Sequence, residues 1–136
     1  MRDPLVHSPG YSLRRASNAM MALLGSRLAE HDVRLVEATV MLLIAENPNI
    51  TASKVGAILD IQRANMVPLL KRLEDGGLIG RTPIDGKSQG LSLTEAGAAK
   101  MEAVRATLDR FEAELIARVP PEHRDHLIPA LDALWR

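Results

Sequence analysis

Apolar residues recur at three- and four-residue steps through most of the chain, and the places where that rhythm breaks divide it into elements. In residues 11–30, Leu13, Ala16, Met20, Leu24 and Leu28 form one stripe and predict a first helix. Residues 33–46, whose VMLLIA run is apolar almost all round, predict a central second helix with Asp32 as its cap and Asn47-Pro48 as its end. Thr51 is the expected N-cap of a short helix over 52–59. After a brief turn another helix spans about 62–75 and stops at Gly76-Gly77. The period then changes from helical to alternating. Residues 78–81 and 90–93 alternate apolar and polar positions around TPIDGKSQ, which reads as a two-stranded hairpin. A lone hairpin is marginal in water and must lean on the helices. Thr94 and Glu95 open a long helix to about residue 118, in which Met101, Val104, Leu108, Phe111 and Leu115 keep strict 3-4-3-4 spacing. So narrow a seam suits a partner helix, from a second chain or from the same one. Pro120-Pro121 breaks the chain before a last short helix carrying Leu127, Leu131 and Leu134.

Composition supports a mainly α fold with a small β-hairpin. The chain of 136 residues is 46% apolar yet has one Trp, one Tyr and one Phe, so aliphatic residues and Met must fill its interior. That length suits a single domain. Cysteine is absent, which excludes disulfides, thiolate metal sites and thiol chemistry. With no charged-then-apolar leader and no long apolar run, the expected location is the cytoplasm, with no membrane partner. Formal charge is zero, but it is uneven: residues 51–93 hold six Lys/Arg and four Asp/Glu, whereas 94–136 hold six and eight. The middle is therefore the mildly basic part.

Two short helices, a tight connection and a hairpin form the order of a winged helix-turn-helix, whose second helix enters the DNA major groove. In that helix Met66, Leu69, Leu70 and Leu73 make the buried stripe and leave Gln62, Arg63, Asn65, Val67, Pro68, Lys71 and Arg72 on the outer arc. Arg, Gln and Asn near a helix start pair bidentately with guanine and adenine edges; Lys71 and Arg72 are better placed for phosphates. Ser53 and Lys54 on the first short helix, and Arg81, Asp85, Lys87 and Ser88 on the hairpin, complete the candidate DNA face. Pro68 either bends a solvent-facing helix start, where only the bond to the Ala64 carbonyl is lost, or splits the segment in two.

The run ITASKVGAILDIQRANMVPLLKRLEDGGLIGR, followed by DGKSQGLSLTEAG, resembles the MarR (multiple antibiotic resistance regulator) family of bacterial transcription regulators. The most specific part is RLEDGGLIGR with LSLTEAG. The resemblance implies a DNA-binding module over about 33–93 and dimerisation helices over about 10–30 and 94–136. It further implies a homodimer on a near-palindromic double-stranded operator and repression relieved by a small ligand, commonly an aromatic acid or its thioester. Tyr11, Arg14, Arg15, Asn18 and Met21 are the candidate effector residues, an arginine pairing with a carboxylate. VPLLKRLE is similar to the branch that includes organic-peroxide sensors. Those sensors need a cysteine in the N-terminal half, and this chain has none. Where the family wing reads Asp-x-Arg, Asp85, Gly86 and Lys87 stand here; lysine keeps the charge but loses the planar fork and resists dehydration in a narrow groove. Lys54-Val55-Gly56 replaces the family's common Glu-Leu-Ala, adding one positive charge and a helix-weakening glycine.

Other readings are thinner. His123 and His126 have i, i+3 spacing, but no third ligand is identifiable, so no metal is assigned and no cofactor is implied. No nucleophile elbow, phosphate loop or HExxH motif occurs, which argues against an enzyme. The surviving alternative is a winged helix that docks another protein without specific DNA binding.

Overall fold

The computed structural model describes residues 1–136. The chain runs α1 (Pro9–Ala29), α2 (Leu35–Glu46), β1 (Ile50–Thr51), α3 (Ala52–Leu59), α4 (Arg63–Asp75), β2 (Ile79–Pro83), β3 (Gln89–Leu93), α5 (Glu95–Arg118), a 3-10 turn (Pro121–His123) and α6 (Arg124–Asp132). Two predicted caps are present. The Thr51 hydroxyl accepts from the Lys54 N–H at 3.3 Å, and the Thr94 hydroxyl accepts from the Gly97 N–H at 3.0 Å. The third differs: Asp32 does not cap α2. It takes a left-handed conformation (φ 54°) in the α1–α2 turn, a state its short polar side chain tolerates. The helix starts two residues later, where Glu37 reaches back to accept from the Arg34 N–H at 3.0 Å.

The predicted hairpin has a third strand. β1 pairs antiparallel with β3 through Ile50↔Leu91 and Thr51↔Gly90, giving the order β1-β3-β2. Two residues show no periodicity, so nothing local announced β1. The close approach needs a glycine: a Cβ on Gly90 would lie 2.8 Å from the Asn49 Cβ.

One core of 17 buried apolar residues unites α1 through α5 and the sheet. The α5 seam belongs to that core. Met101, Val104 and Phe111 are buried where α5 packs on α1 and α2, so helices of the same chain cover this part of the seam, while Leu108 and Leu115 stay half-buried. The 3-4 spacing specified a face to be covered, and α1 and α2 lie close enough to cover it. By contrast, the stripe predicted on α1 is buried only at its end. Leu24 and Leu28 are in the core, while Leu13 stays exposed.

At the junction of sheet and α5 the fit is tighter still. Thr94 donates its backbone N–H to the Leu78 carbonyl at 3.0 Å and its hydroxyl to the Gly77 carbonyl. A Cβ on Gly97 would fall 1.9 Å from the same Leu78 carbonyl. The sequence pair GGLIGR and LSLTEAG is thus one physical joint, closed by hydrogen bonds and by the missing side chain of Gly97.

Candidate nucleic-acid interface

α4 is a single helix through Pro68, so the split alternative is excluded. Pro68 and Ala64 are both exposed, and the carbonyl that loses its donor faces solvent on the outer arc, where water can satisfy it. Opposite, Met66, Leu70 and Leu73 are buried and Leu69 is half-buried, which holds the helix against the module. Gln62, Arg63, Asn65, Val67, Pro68, Lys71 and Arg72 are all exposed, as the outer arc predicts.

α3, the start of α4 and the β2–β3 wing enclose an open cleft of about 920 Å³. The structure brings Ser53, Gln62, Arg63, Arg81, Asp85, Lys87 and Ser88 together around it; Lys54, Asn65, Pro68, Lys71 and Arg72 lie outside its lining. Ala57, Pro83 and Gln89 also line it with no signal in the sequence, and so does Val67, which the sequence places on the outer arc but gives no DNA-binding role. For Val67 a signal existed: an apolar residue on an otherwise polar arc.

Gly56 shapes the floor. The Ile61 N–H donates to the Gly56 carbonyl at 2.8 Å, and a Cβ on Gly56 would stand 2.9 Å from the Ile61 carbonyl. The glycine that weakens α3 as a helix is therefore what lets the α3–α4 turn close beneath the cleft.

The basic residues divide by their partners. Lys71 pairs with Asp75 at 2.9 Å, which raises its pKa through the hydrogen bond and the charge of that carboxylate. Arg72 Nε donates to Glu37 Oε2 at 2.9 Å, and Glu37 is 4% exposed. Arg72, expected at a phosphate, is thus committed to a buried carboxylate that would otherwise stand uncompensated. Arg81 on β2 pairs with Glu74 of α4. Lys54, Arg63 and Lys87 have no acidic partner in the chain.

Asp85 organises the wing. Its Oδ1 accepts the backbone N–H of Lys87 at 2.8 Å and of Ser88 at 2.7 Å, and these bonds hold its carboxyl below the ordinary range. Among the candidate effector residues, the Tyr11 hydroxyl accepts from Arg15 Nη1 at 2.9 Å, and the Arg14 and Arg15 guanidiniums stand 5.8 and 5.7 Å from its ring centroid. Arg14, Arg15, Asn18 and Met21 are exposed and line neither the wing cleft nor the shallow apolar hollow formed by Leu35, Val36, Leu59 and Ile61.

The MarR family model matches residues 34–87, which run from the start of α2 to the wing. A putative transcriptional regulatory protein for the hcr operon of Thauera aromatica is 29% identical over 96 residues, 69% of this chain and 58% of that protein. The chain thus spans a little over half the length of this curated relative. The transcriptional repressor CouR bound to a 23-mer DNA duplex is 27% identical and superimposes with a TM-score of 0.89 over 100% of both chains. CouR from Rhodococcus jostii RHA1, bound to p-coumaroyl-CoA, shares the fold at 20% identity and a TM-score of 0.84, covering 98% of this chain and 95% of that one.

Proposed function

We propose that the chain is a transcriptional regulator of the MarR type, a sequence-specific, ligand-responsive repressor that binds double-stranded DNA as a homodimer in the cytoplasm. It is a regulator and not an enzyme. The observation that carries the reading is the unpaired Arg63 on the exposed start of α4, facing a wing whose Lys87 is also unpaired. A helix start with a free guanidinium and exposed amide side chains suits base edges in a major groove, and the wing suits the adjoining backbone and minor groove. The resemblance to a repressor solved on a DNA duplex, at full length, supports the same use.

The surface that supports dimerisation is α6, which has no buried residue of its own and exposes Ile128 and Leu131, with Leu134 and Trp135 exposed just beyond its end. A second copy would cover that apolar surface. For the effector, the family resemblance favours a small aromatic acid or its thioester. Arg14 and Arg15, flanking Tyr11 with no acidic partner in the chain, suit its carboxylate. No helix is long and apolar enough to cross a membrane.

Selection of DNA fragments by the purified protein, followed by salt titration, tests the reading. With Arg63 on a base edge, Lys54 and Lys87 in each of two protomers predict a log-log slope of about −4. Binding without sequence preference would favour a protein-docking winged helix instead.

A further inference from the structure

We infer that Val67 is a specificity-determining residue of α4, making apolar contact with the C5 methyl of a thymine next to the base that Arg63 reads. The inference rests on the operator-binding reading above. Val67 is 60% exposed and lies off the stripe of Met66, Leu70 and Leu73 that fastens α4 to the core, so the fold does not require it. It stands one turn after Arg63, and both line the cleft that faces the wing. Side chains at i and i+4 are neighbours on a helix surface, about 6 Å apart at Cβ, so the two address adjacent base pairs.

The chemistry of the groove then narrows the choice. Thymine alone among the four bases carries an apolar group in the major groove, its C5 methyl, and apolar side chains read it. A valine in a helix is held in one χ1 rotamer, so its methyls are already positioned and little freedom is lost on contact. The neighbouring Arg63 guanidinium matches the N7 and O6 acceptors of guanine. Together they specify a thymine beside a guanine in each half-site.

The test uses the operator recovered by selection, with each thymine replaced in turn by deoxyuridine, which removes the methyl and keeps the O4 acceptor. Fluorescence anisotropy gives the Kd for the wild type and for Val67→Ala. At one thymine per half-site the wild type should weaken about fourfold, the value of one buried methyl-sized group. The same exchange should leave Val67→Ala unchanged, and that variant should already bind the thymine operator more weakly than the wild type. Because the side chain faces solvent, its unfolding midpoint should match the wild type. Were no thymine methyl to matter, or were both proteins to lose equally, Val67 would not be the reader. Failure to recover any operator would instead overturn the operator-binding reading, and this assignment with it.

Discussion

The two ends of α4 are built to different rules. In the first two turns Arg63, Asn65 and Val67 face outward, and none makes a side-chain hydrogen bond or ion pair within the chain. In the last two turns every charged side chain is engaged: Lys71 with Asp75, Arg72 with Glu37 of α2, and Glu74 with Arg81 of β2. The same residue types thus serve opposite ends. A cation whose partner is supplied by the fold fixes the helix in place, while a cation without one is left to find its partner in another molecule.

If this division is right, the largest effect on folding should come from Arg72→Ala, which leaves a buried carboxylate with only the Arg34 N–H. Loss of about 1–3 kcal/mol is expected in urea unfolding, and Glu37→Gln with Arg72→Ala together should recover part of it. Arg63→Ala should do the reverse, leaving the unfolding curve unchanged while operator affinity falls by about 1–3 kcal/mol and preference relaxes at one base pair. Equal losses of stability in the two variants would erase the distinction between the ends. Lys87→Ala, which removes one cation from each of two protomers, should weaken all sequences alike and flatten the salt slope by about 2.

Acid should loosen the wing. Because the native state depresses the pKa of Asp85, its carboxylate stabilises the wing above the ordinary carboxylate range, and the contribution disappears as pH falls through the depressed value. Protection of the Lys87 and Ser88 amides from exchange, relative to the intrinsic rate at each pH, should therefore fall in acid, and Asp85→Ala should show that loss of protection at neutral pH. The smallest change is expected from Lys71→Ala, whose i, i+4 partner is exposed; both the melting curve and the salt slope should stay close to wild type.

Much of this molecule could be read from local signals, and what could not depends on residues far apart in sequence. Thr51 and Thr94 cap helices because each precedes a run of helix formers, and the sequence shows both facts together. The buried stripe of α4 was similarly legible at Met66, Leu70 and Leu73. Glu37, in contrast, lies 35 residues from Arg72. No spacing rule announces that an arginine on an outer arc will reach a buried acid. β1 was invisible because a strand of two residues exists only through its register with β3. The α5 seam shows a different limit: periodicity identifies which face will be covered but carries no information about which helix covers it. At the candidate site, the residue types of the reading helix were evident, whereas the pairing that removes Lys71, Arg72 and Arg81 from the free cations was not.

The joint at Thr94 has a mechanical consequence. The wing base hangs from the first turn of α5 through the Gly77 and Leu78 carbonyls, and Gly97 leaves no space between them. The contact is close-packed on both sides. A tilt of that long rod would therefore carry the β-ribbon with it as one lever, and a small rotation near the far tip would displace the wing without bending it.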